Sequence, residues 1–319
     1  MTKTWSLKIF LGLSLLLLCL PLIANHNPLC MVRQGKVFFP IFFYYCEQDM
    51  GGSSLIQADF NDERLEEEFW TLWPPIPYGP LTVDYGLHRS GPQKPSLKHW
   101  LGTDEQGRDV LARVLYALRF SFFFGFSVTL LSAVIGFFIG ALQGYRGGWC
   151  DLVLQRIVEI WFSIPVLFLM MVIGSLLSFN IITLFFSLVF LKWRTLVPVV
   201  RPLFLRGRTL PFVESARMMG QKPWTIILHH ILPTIIIYPL ARLPFMMVST
   251  VSVLTTLEFF GFSLPSSMLS LGGLLIQGKQ HLYAPWIVLG GLGGVMLLLT
   301  VLVSLGETLQ KMLIEKGMQ

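Results

Sequence analysis

Apolar residues gather into long blocks that are separated by short polar segments, and this pattern predicts membrane-spanning helices. About 20 consecutive apolar residues cross the hydrocarbon core of a bilayer, and several blocks reach that length. Six spans are predicted, at residues 5–24, 120–142, 152–177, 181–200, 234–256 and 286–306. The expected fold class is therefore an all-α integral membrane protein with six transmembrane helices.

The third and fourth spans come from one run, Ile160 to Leu191, which contains 32 residues without a charge. As a single helix this run would be about 48 Å long at 1.5 Å per residue, against about 30 Å of hydrocarbon. Two helices that meet in a tight turn near Asn180 fit the bilayer better. The run is therefore divided into two spans at that turn.

The first block and the polar region behind it divide the chain into three predicted parts. Residues 1–24 are interpreted as an N-terminal transmembrane anchor, because the leucine two residues before Ala24 is a poor match to a signal-peptide cleavage site. Residues 25–109 form a predicted periplasmic insertion that is too rich in aromatic residues to be disordered. Residues 110–319 form a predicted five-helix membrane core with a cytoplasmic loop at 201–233.

Two segments of the insertion predict secondary structure. The segment from Met31 to Phe39, with two apolar runs on either side of Gln34-Gly35, predicts a hairpin. The acidic segment from Asp62 to Phe69 predicts a short helix. The remainder is punctuated by proline and glycine, which favours turns and loops.

A helix is predicted to begin at Thr103, because Thr103 and Gln106 match a capping box. Asp109 and Arg113 lie four residues apart on this helix, and we expect them to pair on one face. The helix becomes fully apolar in the second span, and the glycines that begin at Gly144 are expected to end it.

Composition supports the membrane class and excludes several others. Hydrophobic residues make up 54% of the chain and charged residues 13%, whereas soluble domains carry about 25% charged residues. A soluble core does not hide this much apolar surface, because the buried fraction grows only slowly with domain size. A soluble enzyme, a nucleic-acid-binding module and a disordered scaffold are therefore excluded, and the lipid bilayer is an expected partner.

The net charge of +6 conceals a segregation that predicts orientation. Twelve of the 18 acidic residues lie between Asn25 and Asp109, whereas seven lysines and arginines lie between Lys192 and Lys222. With a cytoplasmic N-terminus, the internal short segments carry 13 basic residues and the short outer loops carry one, Lys279. The positive-inside rule therefore predicts an inner-membrane protein with both termini in the cytoplasm. The excess of basic residues is explained by this topology and does not indicate that the chain binds nucleic acid.

The sequence contains no motif for catalysis, cofactor binding or metal binding. The phosphate-binding loop of ATPases is absent, and the adjacent His229 and His230 are not spaced for a metal. The four cysteines lack C-x-x-C spacing, and Cys30 and Cys46 either pair on the oxidising side or stay as two thiols. We expect no catalytic residue, no cofactor and no metal.

One charge, Arg242, lies inside a predicted span, about eight residues from its start. A charge at mid-helix costs about 3 kcal/mol on insertion scales, so Arg242 is expected to contact the transport pathway or a partner protein. A snorkelling or paired structural role fits the sequence equally well. The cores of the spans lack the carboxylate that a proton-coupled carrier usually needs.

A short helix is predicted within the 201–233 loop from its terminal residues. Pro211 suits the first turn of a helix and Gly220 suits its end. Glu214 then lies near the positive N-terminal end of the helix dipole. An ordinary interhelical loop is the alternative that composition leaves open.

The residues that follow predict a surface that another protein can approach. Ser215 and Ala216 are small, which allows close contact. A second helix is predicted to begin at Pro223 and to stop at Pro233, where the chain enters the fifth span. The segment is expected to project on the cytoplasmic side as a handle.

The spacing of this segment resembles the EAA loop of ABC-importer permeases. The matching residues are Glu214, Ser215, Ala216, Gly220, Leu232 and Pro233. Ser215 replaces the usual alanine, and His230 replaces a common isoleucine. In that family the loop forms the coupling helix that sits in a groove of the ATPase subunit, so the resemblance implies this role for the six residues.

Further motifs resemble the dipeptide, oligopeptide and nickel branch of these permeases. In chain order they are His99-Trp-Leu-Gly-Thr-Asp104, Gly107-Arg-Asp-Val-Leu-Ala-Arg113, Arg119-Phe-Ser121, Gly144-Tyr-Arg-Gly-Gly148 with Asp151, and Phe260-Gly-Phe-Ser-Leu-Pro265. The match covers residues 97–310, with Ala117 in place of a frequent glycine. The acidic outer region, with Trp73-Pro-Pro-Ile-Pro77, resembles the Yej-type peptide (microcin C-like) permeases.

The resemblance implies a type I ABC-importer permease fold and a transport role without chemistry of its own. The implied partners are a second homologous permease subunit, two ATP-binding subunits and a periplasmic solute-binding protein. The implied substrate is an oligopeptide or a modified peptide. Two alternatives from other classes stay open, a proton-coupled secondary transporter and a membrane sensor whose outer cap binds a ligand.

Overall fold

The structure, a computed structural model, describes most of the chain, namely residues 5–33, 36–43, 45–46, 70–84, 91–177, 180–262 and 269–317. The chain divides into two compact units. One unit consists of Met1–Leu11, Ser121–Pro265 and Met296–Gln319, and the other of Gly12–Phe120 and Ser266–Val295. Each unit is described by itself below.

Helices make up most of the described residues. In chain order they are α1 (Trp5–Leu18), α2 (Leu20–Ile23), α3 (Val110–Arg146), α4 (Gly148–Ser163), α5 (Val166–Leu176), α6 (Ile181–Lys192), α7 (Val197–Gly207), α8 (Pro211–Met218), α9 (Pro223–Thr225), α10 (Leu232–Ile235), α11 (Ile237–Phe259), α12 (Leu271–Gln280) and α13 (Pro285–Gly317). A 3-10 turn, Trp193–Thr195, links α6 to α7, and a π-helical segment, Ile226–Ile231, links α9 to α10.

Three helices are long and apolar enough to cross a membrane: α3, α11 and α13 over Pro285–Met312. Two bent pairs also meet this criterion, α4 with α5 at an angle of 78° and Ile181–Thr195 with α7 at 42°. The structure therefore offers three to five candidate spans among the described residues. The apolar helix Lys8–Leu18 is shorter than a span, so the expected total of six stays a prediction.

Pro165 breaks the predicted third span between α4 and α5. Proline lacks an N–H group and disfavours helical geometry at the residue before it. Ile164 accordingly ends α4 in an extended conformation, with ψ of 119°. The helix predicted at 152–177 is therefore not straight. It bends by 78° at this point, and α4 with α5 stays one candidate span.

The fold is not wholly helical, because the region after α2 contains a three-stranded sheet. Strands β1 (Cys30–Arg33), β2 (Lys36–Phe38) and β3 (Trp70–Leu72) pair antiparallel in the order β2-β1-β3. The predicted hairpin is confirmed in the described residues, since Met31 lies opposite Phe38. Its turn at 34–35 and the predicted helix at 62–69 lie outside the described residues.

The prediction that a helix begins at Thr103 is wrong. Thr103 forms an isolated bridge with Asp109, and α3 begins one residue after Asp109. The Asp104 carboxylate accepts hydrogen bonds from the backbone N–H groups of Gln106 and Arg108, which holds this segment in a turn. The Asp109 carboxylate instead caps the helix by accepting from the N–H of Ala112 at 2.8 Å.

The expected Asp109–Arg113 pair is also not formed. The Arg113 guanidinium contacts Asp104, and it donates to the Gln277 side chain in α12 at 2.6 Å. Asp109 contacts the His99 imidazole at 2.9 Å. Arg113 therefore pairs with Asp104 and Asp109 with His99, in place of the predicted pairing of Arg113 with Asp109.

Glycines on α3 allow the backbone of α7 to approach closely. A Cβ at Gly144 would overlap the carbonyl oxygen of Arg201, and one at Gly140 would lie 2.9 Å from the Cβ of Val200. Small residues four apart permit such contact between membrane helices. Of the glycines expected to end this helix, Gly144 does not, because α3 continues to Arg146, but Gly147 does, with φ of +64°.

Candidate coupling site

The predicted handle helix is present as α8, and its ends match the signals in the sequence. Pro211 occupies the first turn after an extended Leu210. Gly220 follows the helix with φ of +73°. The Gly220 N–H donates to the carbonyl of Arg217 and the Gln221 N–H to that of Ala216, at 3.0 and 3.2 Å. These two bonds form a Schellman motif, which requires the left-handed conformation that glycine adopts most easily.

One side of α8 packs into the core of its unit. Val213 and Ala216 are buried among apolar residues that include Phe204, Ile226 and Ile231. The small side chain of Ala216 therefore serves packing within the chain, and the expectation that it offers a surface to another protein is wrong.

The other side of α8 is exposed and carries the acidic residue of the site. Glu214 lies in the first turn, where the helix dipole stabilises a negative charge. Ser215 donates its hydroxyl to the carbonyl of Pro211 at 3.0 Å. The exposed face of α8 thus presents the Glu214 carboxylate and the small side chain of Ser215.

Exposed apolar side chains surround this face. The residues are Phe212, Met218, Met219, Trp224 and Leu228. Methionine and aromatic side chains are enriched at the centres of protein–protein interfaces, where charged residues are depleted. The surface around α8 therefore has the composition of a protein-binding surface.

The chain continues as helix beyond Pro233, so the prediction that the second helix stops there is wrong. Pro233 lies in the first turn of α10, directly after the π-helical segment, and α11 follows almost at once. A proline in a first turn removes an N–H that has no partner inside that turn. Leu232 is half-buried and Pro233 is exposed.

Side-chain contacts join the two halves of the site. The His230 Nε2 and Gln221 Oε1 atoms lie 3.0 Å apart. The rings of His230 and Phe212 lie 6.5 Å apart. Phe212 of α8 and His230 of the π-helical segment are therefore neighbours across the turn at Gly220.

Arg242 lies on α11, apart from the motif residues of α8. Its side chain is exposed, and its guanidinium lies 5.7 Å from the centre of the Phe245 ring. Within the described residues, Arg242 has this aromatic contact and no ion pair with a carboxylate. The choice between pathway and partner contact stays a prediction.

The cysteine prediction has a partial outcome. Cys30 is a free thiol in β1, so of the two alternatives left open by the sequence, the Cys30–Cys46 pair is not formed in this structure. Among the residues that the structure describes, no group of three or more histidine, cysteine, aspartate or glutamate side chains is arranged to hold a metal ion.

A family model described as "Binding-protein-dependent transport system inner membrane component" matches residues 132–315, a range that contains α8 and all of the motif. The chain belongs to this family. The family consists of membrane-spanning transport components, and in bacteria they lie in the inner membrane. The chain is accordingly a transport permease subunit and not itself an enzyme.

Individual relatives agree with the family. The chain is 43% identical to the inner membrane ABC transporter permease protein YejE of Escherichia coli strain K12, over 96% of this chain and 91% of the relative. It is 36% identical to the peptidoglycan transport system permease protein YejE of Agrobacterium fabrum, over 96% and 87%. A solved inward-facing structure of the MetNI methionine ABC transporter is similar with a TM-score of 0.48 and 16% identity, over 62% of this chain and 95% of that chain.

Several charged residues near α8 were missed by the sequence analysis. Arg201 pairs with Asp151, and Arg208 contacts the end of α3. The Gly144–Gly148 motif with Asp151 was the nearest signal, but it gives no indication of the arginines, which lie 50 or more residues later in the chain.

Proposed function

We propose that this chain is a transmembrane permease subunit of an ATP-driven importer that moves oligopeptides or modified peptides across the inner membrane. Its partners are a second homologous permease subunit, two ATP-binding subunits that hydrolyse ATP, and a periplasmic solute-binding protein. The name of the Agrobacterium fabrum relative, a peptidoglycan transport system permease protein, supports a substrate that contains peptide. An oligopeptide transport permease of Mycobacterium tuberculosis, 30% identical over 69% of this chain, supports the same class.

In this proposal α8 is the element that contacts an ATP-binding subunit. The observation that carries it is the two-sided helix, which is anchored by Val213 and Ala216 and exposes Glu214 and Ser215. Binding of two ATPases to each other would displace α8, and the buried side would transmit that displacement to the permease helices. Gly220, Leu232 and Pro233 set the angle between α8 and the helix that follows.

The orientation follows from the same assignment. An ATPase in the cytoplasm requires that α8 lie on the cytoplasmic side, which agrees with the basic loop at 192–222. Both termini then lie in the cytoplasm, and the region 25–109 lies in the periplasm. Arg242 would contact the transport pathway or the sister permease.

The proposal is tested by purification of the affinity-tagged chain from membranes of its native host. We expect an ATPase with a phosphate-binding loop to co-purify and to be identified by mass spectrometry. The double variant Met218→Glu with Met219→Glu adds charge to the exposed surface without touching the core, and should lower ATPase recovery at least about tenfold, the effect of roughly 1.4 kcal/mol. Leu97→Glu, at a residue that is 99% exposed far from α8 in the sequence, is the matched control.

Energy supply separates this proposal from a proton-coupled carrier. ATP depletion at a constant proton gradient should stop uptake of a radiolabelled tetraalanine probe by intact cells. Uptake that continues without ATP but stops with a protonophore would support the secondary transporter. An ATPase that is absent from the purified complex would contradict the role of α8.

A further inference from the structure

The chain turns sharply between α3 and α4, and this turn contains a motif that the proposed function leaves without a role. The motif is Gly144-Tyr-Arg-Gly-Gly148 with Asp151. We call the segment 144–151 the corner. Besides its neighbours in α3 and α4, the corner contacts α7, the linker after α7, and α8.

A two-pronged ion pair joins the corner to α7. The Arg201 Nε atom donates to Asp151 Oδ1 at 2.6 Å, and Arg201 Nη2 donates to Asp151 Oδ2 at 2.7 Å. The Gln143 side chain donates to the Asp151 carbonyl at 3.3 Å. Two parallel charge-assisted hydrogen bonds fix both the distance and the orientation of the two groups.

A second contact joins the corner to the linker between α7 and α8. The Arg208 Nη1 atom donates to the carbonyl of Arg146 at 3.2 Å and lies 3.5 Å from that of Tyr145. These carbonyls belong to the last turn of α3, where the helix dipole favours a cation. Gly147 has φ of +64°, and a Cβ there would overlap the Arg208 guanidinium.

A third contact reaches α8 directly. The Arg217 guanidinium lies 5.9 Å from the centre of the Tyr145 ring. Beneath it, Val213 and Ala216 share one apolar core with Ala141 of α3. The corner therefore contacts α7, the linker and α8 through three different kinds of interaction.

We propose that the corner is a bolt that makes the end of α3, α7 and α8 move as one rigid body. Asp151, Arg201, Arg208 and Gly147 are positioning residues for the transport cycle. This inference rests on the proposed function, in which an ATPase displaces α8. Without the bolt, bending of the linker 208–210 would absorb the displacement, because the backbone N–H groups of the linker donate only to residues within four positions along the chain. With the bolt, the displacement reaches α3, the longest candidate span.

A distance measurement tests rigidity without any need for transport. Trp149 is 83% exposed, and Lys222, just after α8, is exposed and lies outside the apolar surface around α8, so the two positions accept spin labels. The variant Trp149→Cys with Lys222→Cys, in a chain whose four native cysteines are serine, is assembled into the importer. We expect the same label-to-label distance in the nucleotide-free complex and in the complex trapped with ATP and vanadate. A distance that changes on trapping overturns the bolt and leaves the proposed function intact.

Removal of the ion pair should loosen the bolt. In Asp151→Asn the distance distribution should become broader, and tetraalanine uptake should fall at least about tenfold, the effect expected from the loss of charge-assisted hydrogen bonds. ATPase recovery with the tagged chain should stay near that of the natural chain, because the exposed face of α8 is unchanged. Arg206→Gln removes a cation from an exposed position on α7 and is the matched control.

The two glycines of the corner supply a second test. Gly147 and Gly148 both have positive φ, but a Cβ at Gly148 meets no atom within 4 Å. Gly147→Ala should displace Arg208 and broaden the label distances, whereas Gly148→Ala shares the backbone strain and should not. Equal effects of the two substitutions would show strain alone and overturn the role of Arg208. An ATPase lost from every variant alike would count against the bolt as well.

Discussion

At the scale of single residues, His99 is a buried imidazole that contacts two carboxylates. Its Nδ1 and Nε2 atoms lie 2.9 Å from Asp109 and 3.3 Å from Asp84. Burial lowers the pKa of His99, but the hydrogen bonds with Asp109 and Asp84 outweigh burial and raise the pKa above 6.5. Lys98 also pairs with Asp84, and the Tyr78 ring lies 4.5 Å from the imidazole. The His99 side chain therefore joins the segment that contains Asp84 to Asp109, the residue that caps the start of α3.

The raised pKa predicts a pH-dependent stability. A group whose pKa is higher in the folded state contributes stability fully below its unfolded pKa, and this contribution is lost as pH rises through the folded value. The thermal unfolding midpoint of the chain in detergent should therefore fall as pH rises above 6.5. His99→Gln should flatten this dependence and cost about 1–3 kcal/mol at pH 6, because two carboxylates lose a charged partner. A pH slope unchanged in His99→Gln would contradict the assignment.

Gly220 allows a prediction that depends on backbone conformation alone. A Cβ at this position would meet no atom within 4 Å, so a substitution suffers from the positive φ and not from a clash. Gly220→Val should cost about 1–2 kcal/mol in the turn, and the angle of α8 should change. ATPase recovery and tetraalanine uptake should both fall while the amount of chain in the membrane stays the same.

Asparagine provides the matched control for that experiment. It adopts the left-handed conformation more readily than valine, so Gly220→Asn should retain most of the recovery and uptake. Loss of function in Gly220→Asn equal to that in Gly220→Val would indicate a requirement other than backbone conformation.

At the scale of elements, α3 and α7 depend on glycine for their contact. Gly140 lies against Val200, and no side chain fits between the two helices there. Gly136 and Gly144 repeat the same approach one turn to either side, against the carbonyls of Trp193 and Arg201. The result is a backbone-to-backbone contact that positions α7 and the helix that follows it.

A larger residue at Gly140 should separate the two helices. Gly140→Leu should destabilise the chain by about 1–3 kcal/mol, the range for overpacked cores. Gly293→Leu lies in α13, where a Cβ meets no atom within 4 Å, and serves as the control for the same change in helix propensity. The midpoint of thermal unfolding in detergent should fall for Gly140→Leu and stay close to that of the natural chain for Gly293→Leu. Equal midpoints would contradict the close contact.

At the scale of the whole molecule, many large apolar side chains are exposed along the candidate spans. Phe138 on α3 and Leu289 on α13 are examples. In water such a surface would favour aggregation, whereas in a membrane it faces lipid or a partner subunit. The exposed apolar surface of the candidate spans thus suits contact with lipid or a partner subunit, which agrees with the family.

Orientation yields a prediction for the whole chain. Leu97 and Met218 are highly exposed, and the proposed topology places them on opposite sides of the membrane. In a chain without native cysteines, Leu97→Cys should react with an impermeant maleimide added to intact spheroplasts. Met218→Cys should react only after permeabilisation. Labelling of position 218 in intact spheroplasts would indicate the opposite topology and contradict the role of α8.

The sequence by itself determined those features that depend on neighbours along the chain. A helix in lipid satisfies its own backbone groups, so the long apolar runs predicted α3, α11 and α13. A proline at one end and a glycine at the other predicted α8 and its turn, because these residues restrict or release φ locally. The hairpin of β1 and β2 was also predicted from neighbours along the chain, because a glycine between two short apolar runs favours a tight turn.

Tertiary structure alone decided which distant groups meet. Arg113 contacts Gln277, 164 residues away, and Arg201 contacts Asp151, 50 residues away. A charge interacts with whatever carboxylate lies nearest in space, and spacing along a helix supplied only one candidate, the Asp109–Arg113 pair, which was wrong. Ala216 was likewise taken for a surface residue, because its small size suits a protein surface and a tight core equally. Local backbone preferences are set within a few residues, whereas burial and ion pairing depend on the packing of the whole chain.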